Sequence, residues 1–303
     1  MLFVAPGSGL GHLVRTGALA LALEKKQVVS AIVSSSPWAQ GFSRITGLGV
    51  IFVPPEHWKK DISGLVHRIN PRLLVLDSFP LGFRGESFGD WFGCPVVYLA
   101  RHLKFEAYYH RLTSLGGGAY PPNMTSIIIE DLEARHQDWL EKNTRKQARL
   151  CGRIRFPESL IKAPEIPKTL KSLLDNESVH LVVHSGPEHE VDQLILRAKT
   201  AIRTAGAGKL IVINPFLAGR DDVPDSFDYF PASLLYAKAH RIYTGAGYNA
   251  VAEGAGQTDK HIVVPFDRHY DDQFWRAGDA HVESWGEGLA QAVEKIFEIS
   301  GES

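Results

Sequence analysis

The sequence predicts an α/β protein that folds into two doubly wound domains, each built on a parallel sheet. Short apolar segments alternate with longer amphipathic segments along most of the chain, which is the pattern that strands and helices give in a parallel sheet. The chain has 303 residues, more than one core usually supports. Pro157, Pro164 and Pro167 lie in a stretch with few apolar segments, which suits a linker. We therefore place the domain boundary near residues 155–175.

Each domain is expected to contain its own set of buried strands, followed by helices. The strands predicted for the first domain, residues 1–160, are Leu2–Ala5, Val28–Ser34, Val50–Val53, Leu73–Leu76, Val96–Leu99 and Ile127–Ile129. The strands predicted for the second domain, residues 161–303, are Leu181–His184, Leu210–Asn214, Arg241–Thr244 and His261–Val264. Two such domains bind ligands in the cleft between them, at the carboxyl ends of the strands.

Several segments between and after these strands have recognisable patterns. Gly11–Lys26 and Asp61–Ile69 are predicted helices of the first domain. The amphipathic segment Glu287–Ser300 predicts a terminal helix that packs back on the first domain. The aromatic and basic run Tyr108–Arg111, together with Gly116–Gly118, predicts a loop over the cleft.

Composition excludes several classes of protein. Hydrophobic residues make up 44% of the chain and charged residues 22%, as in a globular protein. The formal net charge is −1, so no overall field would attract nucleic acid or an anionic membrane. Cys94 and Cys151 lack metal-ligand spacing and predict free thiols in a reducing compartment. With neither a signal peptide nor a spanning helix expected, we predict a cytoplasmic protein whose oligomeric state the sequence does not reveal.

The first strand leads into a glycine-rich turn, PGSGLGH, at residues 6–12. Its glycines predict a tight strand-to-helix turn that leaves room for a ligand. NAD binding is disfavoured, because His12 stands where the third glycine of GxGxxG belongs and Ser34–Ser36 ends the second strand without a carboxylate. His12 lies at a helix N-terminus, where the helix dipole favours a neutral imidazole. A neutral imidazole is the form that a general base needs.

Asp77 is the candidate partner of His12. It follows the predicted strand Leu73–Leu76, and the carboxyl ends of parallel strands lie at one edge of the sheet. A carboxylate at that edge would fix the imidazole tautomer and stabilise the imidazolium formed by proton transfer. Structural roles remain open for both residues, since Asp77 could instead cap the next segment or bond the loop at Ser78.

A second glycine-rich turn opens the stretch TGAGYNAVAEGAGQTDKHIVVPFDRHYDDQFWRA at residues 244–277. Gly245 and Gly247 would let backbone N–H groups approach phosphate oxygens at a helix N-terminus. Glu253 could accept hydrogen bonds from two ribose hydroxyls, and Asp272 and Gln273 could bind the hydroxyls of a sugar. The stretch therefore suits a nucleotide-diphosphate sugar.

These two segments together resemble the GT-B glycosyltransferases, enzymes with two Rossmann-like domains that face each other across a cleft. The resemblance is to the UDP-sugar transferases that act on small molecules and to the N-acetylglucosaminyltransferase of peptidoglycan synthesis. Gly11-His12 matches the family's catalytic GH turn, and LVLDSFP matches the segment that contributes the aspartate, here Asp77. GAGYNAVAE, at residues 245–253, follows the spacing of a donor signature that reads approximately HCGWNSTLE.

The resemblance implies a metal-independent hexosyltransferase with no cofactor, which takes a nucleotide-diphosphate sugar as co-substrate. The sugar, from UDP, would move to the hydroxyl of an unidentified acceptor, with His12 as base and Asp77 as its partner. Asn249 would then face the diphosphate, Glu253 the ribose, and the Asp272-Gln273 pair the sugar. The residues expected to contact the donor are Gly9, Gly11, Gly186, Gly245, Gly247, Asn249, Glu253, Asp272 and Gln273.

The chain departs from the donor signature at two positions. Gly245 replaces a phosphate-binding histidine, and Ala250 replaces a phosphate-binding serine. Backbone amides and another loop must then hold the diphosphate, and the loop with Gly186, after the strand Leu181–His184, is the candidate.

Two other functions remain open. The pattern GxGHxxR, with Arg15 one turn after His12, also resembles the UDP-sugar hydrolase of pseudaminic acid biosynthesis, which activates water with its histidine. Arg15 could equally form an ion pair on the helix surface. A nucleotide-sugar binding protein without catalysis is the third class. The base, sugar and acceptor are not predicted.

Overall fold

The computed structural model describes residues 1–7, 9–80, 82, 93–114, 123–144, 149–220, 223, 225–278 and 288–301. The chain divides into two compact units. The first contains Met1–Leu160, His269–Asp272 and Ser284–Ser303, and the second contains Ile161–Arg268 and Gln273–Glu283.

The first unit is built on a sheet of seven parallel strands. These are β1 (Leu2–Ala5), β2 (Ala31–Ser34), β3 (Gly49–Phe52), β4 (Leu74–Asp77), β5 (Val96–Ala100), β6 (Met124–Ile128) and β7 (Arg149–Leu150). Their order across the sheet is β3-β2-β1-β4-β5-β6-β7. Every residue of β1, β4 and β5 is buried, as expected for central strands of a parallel sheet that is covered on both faces.

The second unit is built on a sheet of five parallel strands. These are β8 (Val179–Val183), β9 (Lys209–Ile213), β10 (Ser226–Phe227), β11 (Arg241–Gly245) and β12 (His261–Val264). Their order is β10-β9-β8-β11-β12. Both sheets are therefore doubly wound, and the two-domain parallel α/β class predicted from the sequence is confirmed.

Helices connect the strands in both units. The α-helices are α1 (Gly11–Glu24), α2 (Ala39–Thr46), α3 (Trp58–Ile69), α4 (Phe105–Ser114), α5 (Ala134–Asn143), α6 (Lys168–Asn176), α7 (Glu188–Ala205), α8 (Tyr248–Gly254), α9 (Gln273–Gly278) and α10 (Gly288–Ser300). Within the first unit α10 packs against α1, and the ammonium of Lys26 lies 5.0 Å from the ring centre of Phe297. In the part of the chain described here, no helix is both long and apolar enough to cross a membrane.

The strand order fixes where a ligand site is expected in each unit. In the first sheet the direction in which successive strands are added reverses between β1 and β4. In the second sheet it reverses between β8 and β11. Loops that leave the carboxyl ends of two such strands diverge to opposite faces of the sheet, which opens a crevice at the strand ends. His12 follows β1 and Asp77 ends β4, so both lie at the first of these switch points.

Two local predictions were wrong. The apolar run at Val28–Ser34 enters the sheet only at Ala31, because Gln27 has a positive φ of 64° and the chain is still turning. Tyr108–Arg111 lies in α4 rather than in a loop, because Tyr108 is buried against neighbouring rings. Gly116–Gly118 lies outside the described residues.

The proline-containing stretch also contains regular structure. Helix α6 begins directly after Pro167, which occupies the position before the first helical residue. Proline lacks an N–H and has a fixed φ, and neither property disturbs the first turn of a helix.

Candidate active site

The structure brings His12 and Asp77 into direct contact. His12 is the second residue of α1, and its Nδ1 lies 2.6 Å from Oδ2 of Asp77. The Asp77 carboxylate is fully buried, whereas 16% of the His12 side chain is exposed. The imidazole therefore has one nitrogen fixed by the carboxylate, while part of the ring remains open to solvent.

Arg15 binds the same carboxylate from the next turn of α1. Its Nε donates to Oδ1 of Asp77 over 2.7 Å, and its Nη2 donates to Oδ2 over 2.6 Å. This bidentate geometry matches a planar guanidinium to a carboxylate. Arg15 is buried, so of the two roles left open by the sequence, an ion pair on the helix surface is excluded.

Burial and charge set the protonation states of this cluster. Burial opposes ionisation of Asp77, but the positive charge of Arg15 and the hydrogen bonds outweigh it and hold the pKa of the carboxyl well below its usual range. Burial of His12 lowers its pKa below 6.5, although Asp77 alone would raise it. At neutral pH His12 is thus a neutral imidazole that donates Nδ1–H to Asp77 and has a lone pair on Nε2. The sequence predicts the same neutrality from the helix dipole, whereas in the structure the main cause of the lowered His12 pKa is burial.

Ser78 connects this cluster to a second arginine. It has a positive φ of 68°, which is uncommon for a residue other than glycine. Its hydroxyl accepts hydrogen bonds from Nη2 of Arg15 (2.9 Å) and from Nε of Arg101 (2.8 Å). Arg101 also forms an ion pair with Asp271. A continuous polar network therefore runs from His12 to Asp271, in the segment His269–Asp272 of the first unit.

Gly7 and Phe79 border the imidazole on other sides. The ring centres of His12 and Phe79 lie 5.5 Å apart. Gly7 has a φ of +104°, and a Cβ built on it would lie 3.3 Å from Cδ2 of His12. A Cβ on Gly9 or Gly11 would meet nothing within 4 Å. Only Gly7 among these three is therefore required by backbone conformation and by proximity to His12.

We expect Gly7→Ala to reduce the free energy of unfolding by about 1–2 kcal/mol, because an L-residue is strained at positive φ. The added methyl group also presses on His12, so kcat should fall. Chemical denaturation measures the first effect and a turnover assay the second. Gly9→Ala is the matched control for stability and should unfold like the wild type. If both changes lowered the free energy of unfolding equally, the positive φ of Gly7 and its contact with His12 would not be the cause of the loss.

Asp271, Asp272 and Gln273 are adjacent in sequence but contact different residues. Oδ2 of Asp272 lies 3.8 Å from Nε2 of His102. Gln273 is buried in the second unit, where its Oε1 accepts a hydrogen bond from the Phe266 N–H. The DDQ triplet therefore marks the point at which the chain passes from one unit to the other, and its role in binding a sugar stays a prediction.

His102, Glu133 and Asp272 form a group that could hold a metal ion. Each offers one ligand atom, and these atoms lie within 4.8 Å of one another. The Nδ1 of His102 lies 3.1 Å from the backbone oxygen of Asp131, a contact that orients the other ring nitrogen toward the carboxylates. Its members lie far apart in the sequence, so no local motif predicts this group.

The second unit contains the remaining predicted donor contacts. Gly245 ends β11, Gly247 precedes α8, and Asn249 and Glu253 lie one turn apart on one face of α8, both partly exposed. Arg276 is fully buried, and its Nη1 donates to the Ala246 backbone oxygen over 3.0 Å. That bond fixes the β11–α8 turn in place.

Several members of these clusters were not predicted from the sequence. Arg276 gave no signal, because a buried arginine looks ordinary in sequence. Ser78 was considered only as a partner of Asp77, and its bonds to Arg15 and Arg101 were not predicted. The bond from Arg15 to Asp77 did have a signal: residues three apart in a helix share a face, so Arg15 was placed to reach the partner of His12.

Solved structures similar to this chain include enzymes of sugar metabolism. SsfS6, a glycosyltransferase of Streptomyces sp. SF2575, aligns with a TM-score of 0.55 at 13% identity, over 99% of this chain and 92% of its own. The spinosyn rhamnosyltransferase SpnG, complexed with thymidine diphosphate, aligns with a TM-score of 0.52 at 14% identity, over 99% and 96% of the two chains. The chain has the GT-B fold.

The GT-B fold does not by itself assign a reaction. A putative UDP-N-acetylglucosamine 2-epimerase from Listeria monocytogenes aligns with a TM-score of 0.59 at 10% identity, over 99% of this chain and 88% of its own. No protein-family model matches this GT-B chain, and no curated protein matches it in sequence. Function must therefore be argued from the site residues.

Proposed function

We propose that this protein is a glycosyltransferase that moves a sugar from a nucleotide-diphosphate sugar, of the UDP type, to an acceptor hydroxyl. The observation that carries the proposal is the contact between His12 and Asp77 at the switch point of the first sheet. A neutral, partly exposed imidazole with its Nδ1–H bound to a carboxylate has the geometry of a general base.

The proposed reaction is a direct displacement at the anomeric carbon. Nε2 of His12 removes the proton of the acceptor hydroxyl as the acceptor oxygen forms its bond to that carbon. The bond from the carbon to the phosphate oxygen breaks, and the nucleoside diphosphate leaves with the electron pair. General-base catalysis of this kind contributes a rate factor of about 10²–10⁴.

Asp77 orients the base rather than accepting its proton. Its pKa is held far below the usual range by Arg15 and by His12, so it stays ionised through the reaction. Arg15 partly offsets its charge, which leaves His12 a weaker base than an imidazole beside a lone carboxylate.

In this proposal most of the donor contacts lie in the second unit. The Gly245–Gly247 turn would receive the diphosphate, Asn249 would contact it from α8, and Glu253 would bind the ribose. Asp272 and Gln273 would bind the sugar, and Gly9, Gly11 and Gly186 would leave room for the donor. The thymidine diphosphate bound to SpnG supports a nucleoside diphosphate as the ligand class for this fold. We propose that no metal or cofactor takes part.

The rate of transfer should be insensitive to pH around the usual pKa of histidine. Burial lowers the pKa of His12 below 6.5, so the imidazole stays neutral as pH falls through that value. Activity should then decline only at lower pH, where the imidazole becomes protonated. A kcat profile from about pH 8 to about pH 5 measures this, and a midpoint at or above 6.5 would contradict the burial argument.

Hydrolysis of the nucleotide sugar is the second candidate. The observation that favours it is the buried ion pair of Arg15 with Asp77, because it gives the arginine of the GxGHxxR pattern a place beside the base. The same imidazole would then activate water instead of an acceptor hydroxyl.

A donor screen followed by product analysis tests the proposal. Thermal-shift measurements with UDP-, dTDP- and GDP-sugars identify a nucleotide sugar that stabilises the protein. The stabilising donor is then incubated with the protein alone and with candidate acceptor alcohols. A glycosylated acceptor supports transfer, free sugar without acceptor supports hydrolysis, and stabilisation by none of these donors would contradict both.

A further inference from the structure

A second histidine lies at the switch point of the second sheet. His184 directly follows β8, and Gly245 is the last residue of β11. The strands pair Val183 with Thr244, so His184 and Gly245 are neighbours at the carboxyl ends of the two strands where the winding reverses. Ligands of doubly wound sheets bind at this point.

Glu190 fixes one edge of the His184 imidazole. Nε2 of His184 lies 2.7 Å from Oε2 of Glu190, and the carboxylate is buried. Nη2 of Arg268 donates to the same oxygen over 2.5 Å. Two basic side chains therefore share one carboxylate, and 29% of the arginine side chain is exposed.

The other edge of the imidazole faces the β11–α8 turn. A Cβ built on Gly245 would lie 2.7 Å from Cε1 and 3.0 Å from Nδ1 of His184. A contact of 2.7 Å is shorter than real Cβ atoms show, so the ring fills the space that a side chain at position 245 would take. Nδ1 is the polar atom that this ring presents at the turn.

We infer that His184 supplies the side-chain contact to the phosphates of the donor. This inference rests on the proposed function, which puts a diphosphate at the Gly245–Gly247 turn. With protons on both ring nitrogens, His184 donates Nε2–H to Glu190 and Nδ1–H to a phosphate oxygen. The charges of His184, Arg268 and Glu190 then sum to a positive value, which suits an anion. His184 is a binding residue in this scheme and takes no part in proton transfer.

Two amide substitutions of His184 distinguish the contact made by Nδ1 from the contact made by Nε2. In His184→Gln the amide reaches the position of Nε2, so the bond to Glu190 is kept and the contact from Nδ1 is lost. In His184→Asn the amide lies near the position of Nδ1, so a donor at the turn is kept. We expect His184→Gln to weaken binding of UDP or dTDP about tenfold, as for loss of one charge-assisted hydrogen bond, and His184→Asn to weaken it less.

Calorimetric titration with UDP and dTDP measures these affinities, and competition by uridine and thymidine measures the part that does not depend on phosphate. Nucleoside affinity should stay unchanged in His184→Gln. The exposed His189 on α7 provides the matched control, and His189→Gln should bind all four probes like the wild type. Gly245→Ala adds a second test, because it leaves the imidazole chemically intact but displaces it, and it should weaken diphosphate binding as well.

The outcomes distinguish the inference from the proposed function. If the wild type binds UDP or dTDP and His184→Gln binds it equally well, the role of His184 is wrong and the proposed function stands. Equal loss of diphosphate and nucleoside affinity would also overturn the role, since it would show a structural effect. If the folded wild type binds neither diphosphate, the proposed function fails, and the inference fails with it.

Discussion

Replacing His12 by alanine should lower kcat by about three orders of magnitude and leave the affinity for the nucleoside diphosphate within about twofold of the wild type. In the proposed reaction the imidazole holds the lone pair that removes the acceptor proton, whereas most of the proposed donor contacts lie in the second unit. Because part of the His12 side chain is exposed and its ring is bound through one nitrogen, the loss should disturb the fold little. Steady-state turnover and calorimetric titration with UDP or dTDP measure the two quantities.

His67→Ala is the matched control, since His67 is an exposed histidine on α3 of the same unit. It should retain full activity and affinity. If His12→Ala turned over as fast as this control, His12 would have a structural role only. If instead His12→Ala lost most of its affinity for the nucleoside diphosphate, His12 would be a donor-binding residue rather than the general base.

Replacing Asp77 by asparagine should have two large effects. The carboxylate uses both oxygens for Arg15 and one of them also for His12. If the amide oxygen stays bound to Nε of Arg15, the amide NH₂ group points at Nδ1 of His12. Nδ1 must then accept a hydrogen bond, so the imidazole proton moves to Nε2. The base is then in the wrong tautomer, so kcat should fall by about 10³–10⁴. The buried Arg15 also loses its counter-ion, which should cost about 3 kcal/mol of unfolding free energy.

A double variant separates these effects. Arg15→Met with Asp77→Asn removes the unpaired cation, so stability should recover toward that of the wild type, while activity should stay low because the tautomer is still wrong. Recovery of activity together with stability would show that Asp77 acts only by holding the fold. Kinetics and chemical denaturation of the single and double variants provide the comparison.

The stability of the wild type should also depend on pH through this ion pair. The pKa of Asp77 is lower in the folded protein than in the unfolded chain, so the unfolded chain binds more protons at low pH. The stabilisation is present above the unfolded pKa of about 4 and is lost as pH falls below it. The Asp77→Asn variant should lack that part of the acid sensitivity.

Sequence patterns were sufficient for the fold and insufficient for some element boundaries. Buried strands such as β1 and β5 are uninterrupted apolar runs, so periodicity located them and their order implied two doubly wound sheets. Val28 and Val29 extended one such run in sequence, but the positive φ of Gln27 keeps them out of the sheet. The two-residue strand β10 depends on its neighbour β9 for pairing, and no local pattern encodes such a contact.

The site was predictable where topology brings strand ends together. His12 and Asp77 were paired because both follow strands that end at one edge, and the structure places them in contact. The His184 cluster was not predicted as a cluster, since Arg268, which binds the carboxylate shared with His184, lies 78 residues from Glu190 in sequence. Its position against Gly245 depends on the close approach of two backbones, which a sequence does not report.

The most direct test of the central claim is the single-turnover release of nucleoside diphosphate from a bound nucleotide sugar. Each protein, wild type or His12→Ala, is mixed separately with a smaller amount of the stabilising donor, with and without acceptor. Release of the nucleoside diphosphate is followed in a coupled assay. With acceptor present, we predict rapid release by the wild type and release slower by about three orders of magnitude by His12→Ala. Equal release by both proteins, or none by the wild type with any donor that it binds, would contradict it.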